Sequence, residues 1–236
     1  MKVRTILLFL TYVLMVVFLI PVLMVCILLE AREPIMAIGK WAMRLGRGIL
    51  GLPLEVSGLD RIDRQQTHIY MSNHLSFLDG PMAFMLIPQP VRVILKKEVF
   101  KLPVVGPGMT FVGFVPVTRK GAHGGRASID RAIRLMNEKG YSFLIFPEGT
   151  RSRDGRLQRF RRGGFFLALR SGAAIVPMSI QGTYELMPRG RFFIKNGPVR
   201  VTFHPAVSVQ GYREENLSQL IDKVRAIIQS GLREEG

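Results

Sequence analysis

The stretch HIYMSNHLSFLDG, residues 68–80, carries a short apolar segment directly into a polar turn that holds a histidine and an aspartate. Residues 68–73 have the composition of a β-strand. His74 and Asp79 are five residues apart, which on an α-helix is about 500° of rotation and leaves the side chains about 140° apart. The two can meet only if the chain turns between them, so this stretch predicts a built site at the end of a strand.

A second strand-to-loop segment is YSFLIFPEGTRSRDG, residues 141–155. The apolar run 141–146 stops at Pro147 and is followed by Glu148, Gly149, Thr150 and Arg151. An arginine beside a hydroxyl and a glycine, whose backbone can approach a ligand closely, is suited to holding a phosphate. Most exposed arginine-rich loops are merely solvated, so the segment alone does not decide between the two interpretations.

The rest of the body alternates apolar runs with helical patterns and predicts an α/β domain with a mixed sheet flanked by helices. In such sheets ligands bind at the strand ends. Ser128 is a candidate N-cap and Gly140 a candidate C-terminal stop. We expect an anchor region over 1–52 and one domain over 53–236. Further strands are predicted over 91–97, 174–180 and 199–203, and helices over 126–140, 161–172 and 215–232.

The amino-terminal end predicts a membrane anchor. Residues 6–29 contain no charge, and about 20 apolar residues suffice for a spanning helix. The run is longer than the apolar core of a signal peptide and ends without a small-residue cleavage site. Pro21 lies inside it and can kink a helix, so a re-entrant hairpin stays open beside a spanning helix.

Residues 38–52 predict an amphipathic helix. Lys40, Arg44 and Arg47 fall on one side of it, opposite an apolar face that includes the only tryptophan, Trp41. Next to a membrane anchor, this pattern predicts a helix lying in the headgroup layer. The alternative is an ordinary amphipathic helix packed on the domain.

The overall charge is strongly basic, with 33 Lys and Arg against 17 Asp and Glu and a net charge of +16. Such a surface attracts phosphates of lipids, substrates or nucleic acids. Five tyrosines and one tryptophan give little material for base stacking, which disfavours a nucleic-acid partner. His68, His123 and His204 stand singly and the one cysteine, Cys26, lies in the apolar run, so no metal site and no disulfide are predicted.

Taken together, four segments resemble the glycerolipid acyltransferases. NHLSFLD (73–79) is similar to that family's N-H-x-x-x-x-D block and FPEGTRS (146–152) to its third block, while GFVPVTR (113–119) and IVPMSI (175–180) are similar to the second and fourth. The resemblance implies a fatty acyl transfer from a thioester of coenzyme A or acyl carrier protein, without further cofactor, to lysophosphatidic acid. Glycerol-3-phosphate or another lysolipid as acceptor, hydrolysis by water, and a basic membrane-anchored binding protein without this activity remain alternatives.

The chemistry assigns roles within these segments. Histidine accepts a hydroxyl proton near neutral pH, and a carboxylate on its other ring nitrogen fixes the tautomer. His74 is therefore expected to be the general base and Asp79 its partner. Ser72 and Ser76 are not expected to act as nucleophiles, and Ser76 is expected to cap the helix that carries Asp79. The resemblance further implies substrate-binding roles for Lys96, Arg119, Glu148, Gly149, Thr150 and Arg151.

Some of these assignments leave alternatives open. Lys97 competes with Lys96 as the cation that follows its strand. Glu148 is expected either to bind the acceptor or to orient the loop by pairing with Arg151. Five further arginines form a basic rim that is either solvated or contacts anionic lipid or an acidic carrier: Arg153, Arg156, Arg159, Arg161 and Arg162. Basic residues flanking the apolar run favour a domain on the cytoplasmic side of the cell's inner membrane.

Overall fold

The computed structural model describes residues 1–118 and 122–232. Within these residues, seven strands form one sheet, in the order β1-β7-β6-β2-β5-β3-β4. Every neighbouring pair is parallel except β6 with β7, which confirms the predicted mixed sheet. The strands are β1 (Leu54–Ser57), β2 (Ile69–Ser72), β3 (Val91–Lys96), β4 (Val115–Val117), β5 (Ser142–Ile145), β6 (Ile175–Gln181) and β7 (Val199–Phe203).

Helices cover both faces of this sheet, and β2 contributes to both resulting cores. Tyr70 packs into the core shared with the second and third helices, whereas Ile69 and Met71 face the fifth, sixth and eighth. All three side chains are fully buried, because a strand alternates its side chains between two covered faces. In the described residues the helices are α1 (Lys2–Leu28), α2 (Glu33–Leu50), α3 (Asp79–Leu86), α4 (Val105–Phe111), α5 (Ala122–Lys139), α6 (Gly163–Ser171), α7 (Thr183–Leu186) and α8 (Leu217–Ser230), with 3₁₀ turns at Leu59–Arg61 and Lys97–Lys101.

The sheet order explains why the two strand-to-loop segments meet. β2 and β5 are parallel neighbours, with Ile69 opposite Phe143 and Met71 opposite Ile145. Their carboxyl ends therefore open at the same edge of the sheet. The loops that begin at residues 73 and 146 therefore leave from adjacent positions, although 73 residues of sequence separate their first residues.

Several elements differ from the sequence-based expectation. The strands β1 and β4 are only four and three residues long, too short to give a clear alternating pattern. The fifth helix begins at Ala122, so Ser128 does not cap it; the Ser128 hydroxyl instead donates to the carbonyl of Pro116, 2.6 Å away. Gly140 adopts a left-handed φ of 64° and ends the helix as expected.

The apolar helix α1 is continuous through Pro21, so the re-entrant hairpin is wrong. Among the described residues it is the one helix long and apolar enough to cross a membrane, by length and composition alone. It nevertheless contacts the rest of the chain near both ends. Thr5 accepts a hydrogen bond from the backbone N–H of Ile194, and Leu23 lines an apolar cavity together with Val104 of the segment before α4.

The second helix is amphipathic, as predicted, but its basic residues have a different environment from the one expected. Lys40 donates to the carbonyl of Ile87 at 2.6 Å and Arg44 to that of Met85 at 3.2 Å. These carbonyls lie at the carboxyl-terminal end of α3, where a helix leaves acceptors unpaired and favours cations. Lys40 and Arg44 therefore tie α2 to the domain, which corrects the expectation that they face lipid headgroups; Trp41 is exposed.

Candidate active site

The histidine and the aspartate of the opening stretch meet at the carboxyl end of β2. Nδ1 of His74 lies 3.1 Å from Oδ2 of Asp79. A carboxylate oxygen is an acceptor, so the ring proton belongs on Nδ1 and Nε2 is left with a free lone pair. In this arrangement the carboxylate fixes the tautomer of the imidazole, which is the geometry predicted from the sequence.

Asp79 is fully buried and is held on both of its oxygens. Oδ2 accepts hydrogen bonds from the backbone N–H groups of Leu75 and Ser76, at 2.6 and 2.7 Å. Oδ1 accepts one from the hydroxyl of Thr183, at 2.6 Å. The turn between His74 and Asp79 is thus closed by the carboxylate itself.

Ser76 does not cap α3, contrary to the expectation. The helix begins at Asp79 with Leu78 preceding it and no side-chain cap. The Ser76 hydroxyl donates to the carbonyl of Met187, 2.7 Å away, and accepts from the N–H of Leu78, just before the helix, at 3.2 Å. It is fully buried and fixes the turn to the segment that follows α7, which leaves it poorly placed as a nucleophile.

His74 is fixed on three sides by the third block of the sequence. Its ring stacks on Phe146 with centroids 4.2 Å apart. Its backbone N–H donates to Oε1 of Glu148 at 2.6 Å, and its carbonyl accepts from the N–H of Ser152 at 2.8 Å. The imidazole is partly exposed, at 22%, so it is both oriented and accessible.

Glu148 joins the two loops and does not pair with Arg151 among the ion pairs of the described residues. Oε1 binds the N–H of His74 and Oε2 the N–H of Gln158. The carboxyl is only 2% exposed, and this burial raises its pKa to about 7 despite the two hydrogen bonds. Of the two roles left open for Glu148, the contacts favour orienting the loop.

A cavity of about 640 Å³ opens in front of His74. Among the described residues, four cationic side chains line it: Lys96, Arg151, Arg161 and Arg189. They come from three segments, namely the end of β3, the loop between β5 and α6, and the chain after α7. Its walls are otherwise largely apolar, a combination that suits a ligand with an anionic group and a hydrocarbon part.

The structure places most of the predicted binding residues at this cavity. Lys96, Gly149, Thr150 and Arg151 line it, whereas Lys97 does not, which separates the two competing lysines. Arg119 lies outside the described residues. Of the basic rim, Arg161 lines the cavity. The structure does not test what any of these residues binds, and their roles stay predictions.

Gly149 has a structural reason to be glycine. Its φ is 72°, in the left-handed region, which an L side chain adopts only with strain. A Cβ at this position would also lie 2.9 Å from Cδ and Nε of Arg161. The turn therefore brings the Arg161 side chain against the backbone of the third block.

Three residues of the site were not predicted from the sequence. Nδ2 of Asn73 donates to the carbonyl of Ile180 in β6, and Oδ1 of Asn73 accepts from the N–H of the same residue. The hydroxyl of Thr183 donates to Asp79. Arg189 lies in the cavity wall, 3.5 Å from the carbonyl of Arg151. Only Asn73 could have been found from the sequence, because it lies next to His74. The positions of Thr183 and Arg189 depend on how β6 and the chain after it fold.

The other histidines have separate environments. His68 is buried against Gln89, and His204 is half-buried with Nε2 at 2.8 Å from the hydroxyl of Ser179. Burial lowers the pKa of both. In the described part of the chain no group of three potential metal ligands is present; the side chain of His123 lies outside it.

The fold and the site together define a class of protein: an α/β domain with a carboxylate-oriented histidine at the mouth of a cationic and apolar cavity. Residues 53–181 match the model of the family described as "Acyltransferase". This chain belongs to the acyltransferase family.

Relatives and a solved structure agree with this assignment. The chain is 31% identical over 179 residues to a 1-acyl-sn-glycerol-3-phosphate acyltransferase of Limnanthes douglasii, covering 76% of this chain and 63% of that protein. It is 28% identical over 182 residues to the protein of that name from Borreliella burgdorferi, covering 76% and 72%. The crystal structure of the 1-acyl-sn-glycerophosphate (LPA) acyltransferase, PlsC, from Thermotoga maritima is 25% identical, with a TM-score of 0.83 over 97% of this chain and 93% of that chain.

Proposed function

We propose that the protein transfers a fatty acyl group from an acyl thioester to the free hydroxyl of 1-acyl-glycerol-3-phosphate, giving phosphatidic acid. The observation that carries the proposal is the His74–Asp79 pair facing a cavity lined by Lys96, Arg151, Arg161 and Arg189. The names of the relatives support the same acceptor. The chain spans 63% of the length of the Limnanthes protein, so this activity is an inference from the site.

In the proposed mechanism the acceptor hydroxyl approaches Nε2 of His74, which removes its proton as the oxygen attacks the thioester carbonyl. Asp79 holds Nδ1–H and stabilises the imidazolium that forms. The proton then passes from the imidazolium to the departing thiolate. The substrate hydroxyl is the nucleophile, so no acyl-enzyme intermediate is required.

The acceptor phosphate is proposed to bind the cavity cations. Arg151 is the leading candidate because it lies in the loop that Glu148 ties to His74. Its guanidinium is 5.8 Å from the ring of Phe77 and forms no ion pair among the described residues. A guanidinium can bind a phosphate through two hydrogen bonds. Lys96 and Arg161 would bind the same charge or the phosphates of the donor.

The protein is proposed to act at a membrane, through α1. Because α1 contacts the domain near both ends, we infer that it lies along the bilayer surface rather than crossing it. Its exposed apolar side chains would enter the bilayer on one side. The inner membrane, with the domain on the cytoplasmic side, remains our proposed location, since acyl thioesters are made in the cytoplasm.

The test is acyl transfer by membrane fractions of wild type, His74→Ala and His204→Ala. His204 follows β7 at the opposite edge of the sheet, so His204→Ala is the matched control and should stay active. A labelled acyl thioester is offered with lysophosphatidate, glycerol-3-phosphate, a neutral lysophospholipid or no acceptor. We expect phosphatidate only with lysophosphatidate, and a loss of at least about 100-fold in His74→Ala.

Other outcomes discriminate among the alternatives. Transfer to a different acceptor would retain the general base and overturn the proposed substrate. Free fatty acid formed equally with and without acceptor would indicate a hydrolase. Substantial turnover by His74→Ala would refute the role of His74.

A further inference from the structure

The segment RGRFFIK, residues 189–195, has an unusual exposure of aromatic side chains. It lies between α7 and β7 and is called here the Phe192 loop. Phe192 is 83% exposed and Phe193 is 48% exposed. Two adjacent exposed phenylalanines at a loop tip are costly in water and usually mark an interaction surface.

The loop is not loose, because its base is anchored. Ile194 is buried in the core that contains the third helix, and its N–H donates to Thr5 of α1 at 3.3 Å. The N–H of Lys195 donates to the carbonyl of Leu186 at 2.9 Å. The fold thus holds Ile194 inward while Phe192 and Phe193 remain outside, so their exposure is built in.

The charge around the two rings has one sign. Arg189, Arg191 and Lys195 lie in the loop, and residues 187–198 contain no acidic residue. From α1, the ammonium group of Lys2 is 6.0 Å from the ring centroid of Phe193. Aromatic residues between cations match the interface of an anionic bilayer, where rings sit at headgroup level and each cation adds attraction.

The position of the loop relates this surface to the site. Its base contacts the amino-terminal end of α1, whose exposed apolar face is the proposed membrane anchor. Its first residue, Arg189, lines the cavity in front of His74. A bilayer that contacts both α1 and the loop would therefore lie next to the cavity, from which a lysolipid could enter without crossing water.

From this geometry we propose that the Phe192 loop is a second membrane-contact surface, which inserts Phe192 and Phe193 into an anionic bilayer beside the active-site cavity. The inference rests on the proposed membrane-associated function and adds to it. The loop and α1 would fix the rotation of the domain on the membrane, which one helix alone leaves undefined.

The experiment uses the single tryptophan. Trp41→Phe gives a full-length protein without tryptophan, and Phe192→Trp then places one reporter in the loop. The matched control is Gln210→Trp in the same background; Gln210 is exposed and lies near the Ile175–Val207 bridge, at the opposite edge of the sheet. Both proteins are bound to phosphatidylglycerol-containing vesicles with and without lipid brominated on the acyl chains.

We expect bromolipid to quench Phe192→Trp several-fold more strongly than Gln210→Trp, with emission shifted to the blue. Quenching should weaken in vesicles of phosphatidylcholine alone, because the basic residues then lose their partner. Equal quenching at positions 192 and 210 would overturn the proposal, and equal quenching in both vesicle types would overturn its electrostatic part.

Acyl transfer is measured on the same samples. An active enzyme with an unquenched position 192 would refute the membrane contact and leave the proposed function standing. Strong quenching at position 192, together with no acyl transfer by the wild type, would support the membrane contact and refute the proposed function.

Discussion

The contacts of Asp79 predict an unusual response to Asp79→Asn. An asparagine has one oxygen and one NH₂ group, so it can be placed in two orientations. If its NH₂ group took the position of Oδ2, it would face the backbone N–H groups of Leu75 and Ser76, which lie only 2.6 and 2.7 Å away. Donor would meet donor twice, so this orientation is excluded.

In the other orientation the amide oxygen replaces Oδ2 and keeps the hydrogen bond from Nδ1–H of His74. The NH₂ group then faces Oγ1 of Thr183, whose hydroxyl can turn from donor to acceptor. The histidine tautomer and the turn are preserved, and only the negative charge of Asp79 is lost.

The size of the effect follows from this charge. Two unit charges 3.1 Å apart interact by about 5 kcal/mol at an effective dielectric constant of about 20. If the imidazolium is about half formed in the transition state, Asp79→Asn removes about 2 to 3 kcal/mol, which lowers kcat roughly 30- to 150-fold. The variant should unfold at nearly the wild-type denaturant concentration.

The assay is kcat with saturating acceptor and donor in vesicles, for wild type, Asp79→Asn and His74→Ala. We expect Asp79→Asn to be clearly more active than His74→Ala. If the two variants lose activity equally while both stay folded, the amide has not kept the tautomer, and the side-chain orientation expected from the backbone donors is wrong.

Two further predictions concern the third block. Arg151→Ala should raise the acceptor KM about 10- to 100-fold with a smaller change in kcat, since a charged hydrogen bond contributes about 1.5–3 kcal/mol. The control is Arg159→Ala, because Arg159 is exposed and lies outside the cavity wall. An unchanged acceptor KM in Arg151→Ala would show that the phosphate binds elsewhere. Burial raises the Glu148 pKa from 4.5 to about 7, so the folded protein binds this proton more tightly than the unfolded chain. The contribution of this proton to the free energy of unfolding is therefore fully present below pH 4.5 and is lost as the pH rises through 7. The difference in unfolding free energy between wild type and Glu148→Gln should therefore change by about 3 kcal/mol across this window, as measured by denaturant titration in detergent; a constant difference would contradict the raised pKa.

The sequence predicted those parts of the fold that repeat a pattern over several residues. The strands around Tyr70, Phe143 and Val201 are wholly or largely apolar and were identified within one or two residues of their observed ends. The strand β4 was missed because three residues carry no period. The surroundings of Lys40 and Arg44 were missed for another reason: a helical wheel shows which side is basic, but the free carbonyls at the end of α3 that receive these cations are a tertiary feature.

In the site, too, local sequence predicted some residues, and others are placed only by the tertiary fold. His74 and Asp79 are close in sequence, so their pairing could be inferred from a turn. Thr183 and Arg189 come from the chain after β6, and nothing local marks them as neighbours of the dyad. Their placement depends on β6 lying beside β2 in the sheet.

The position of Glu148 suggests a structural reason why the proposed reaction would use two loops that are far apart in sequence. A general base must be held rigidly against the atom from which it takes a proton, and the acceptor must be held in the same frame. Glu148 binds the backbone of His74 with one oxygen, while its chain neighbours Gly149, Thr150 and Arg151 line the cavity. Any displacement of the loop that is proposed to bind the phosphate would thus move the proposed base with it. We infer that the buried carboxyl, despite its raised pKa, keeps the distance between the proposed base and the proposed acceptor site constant.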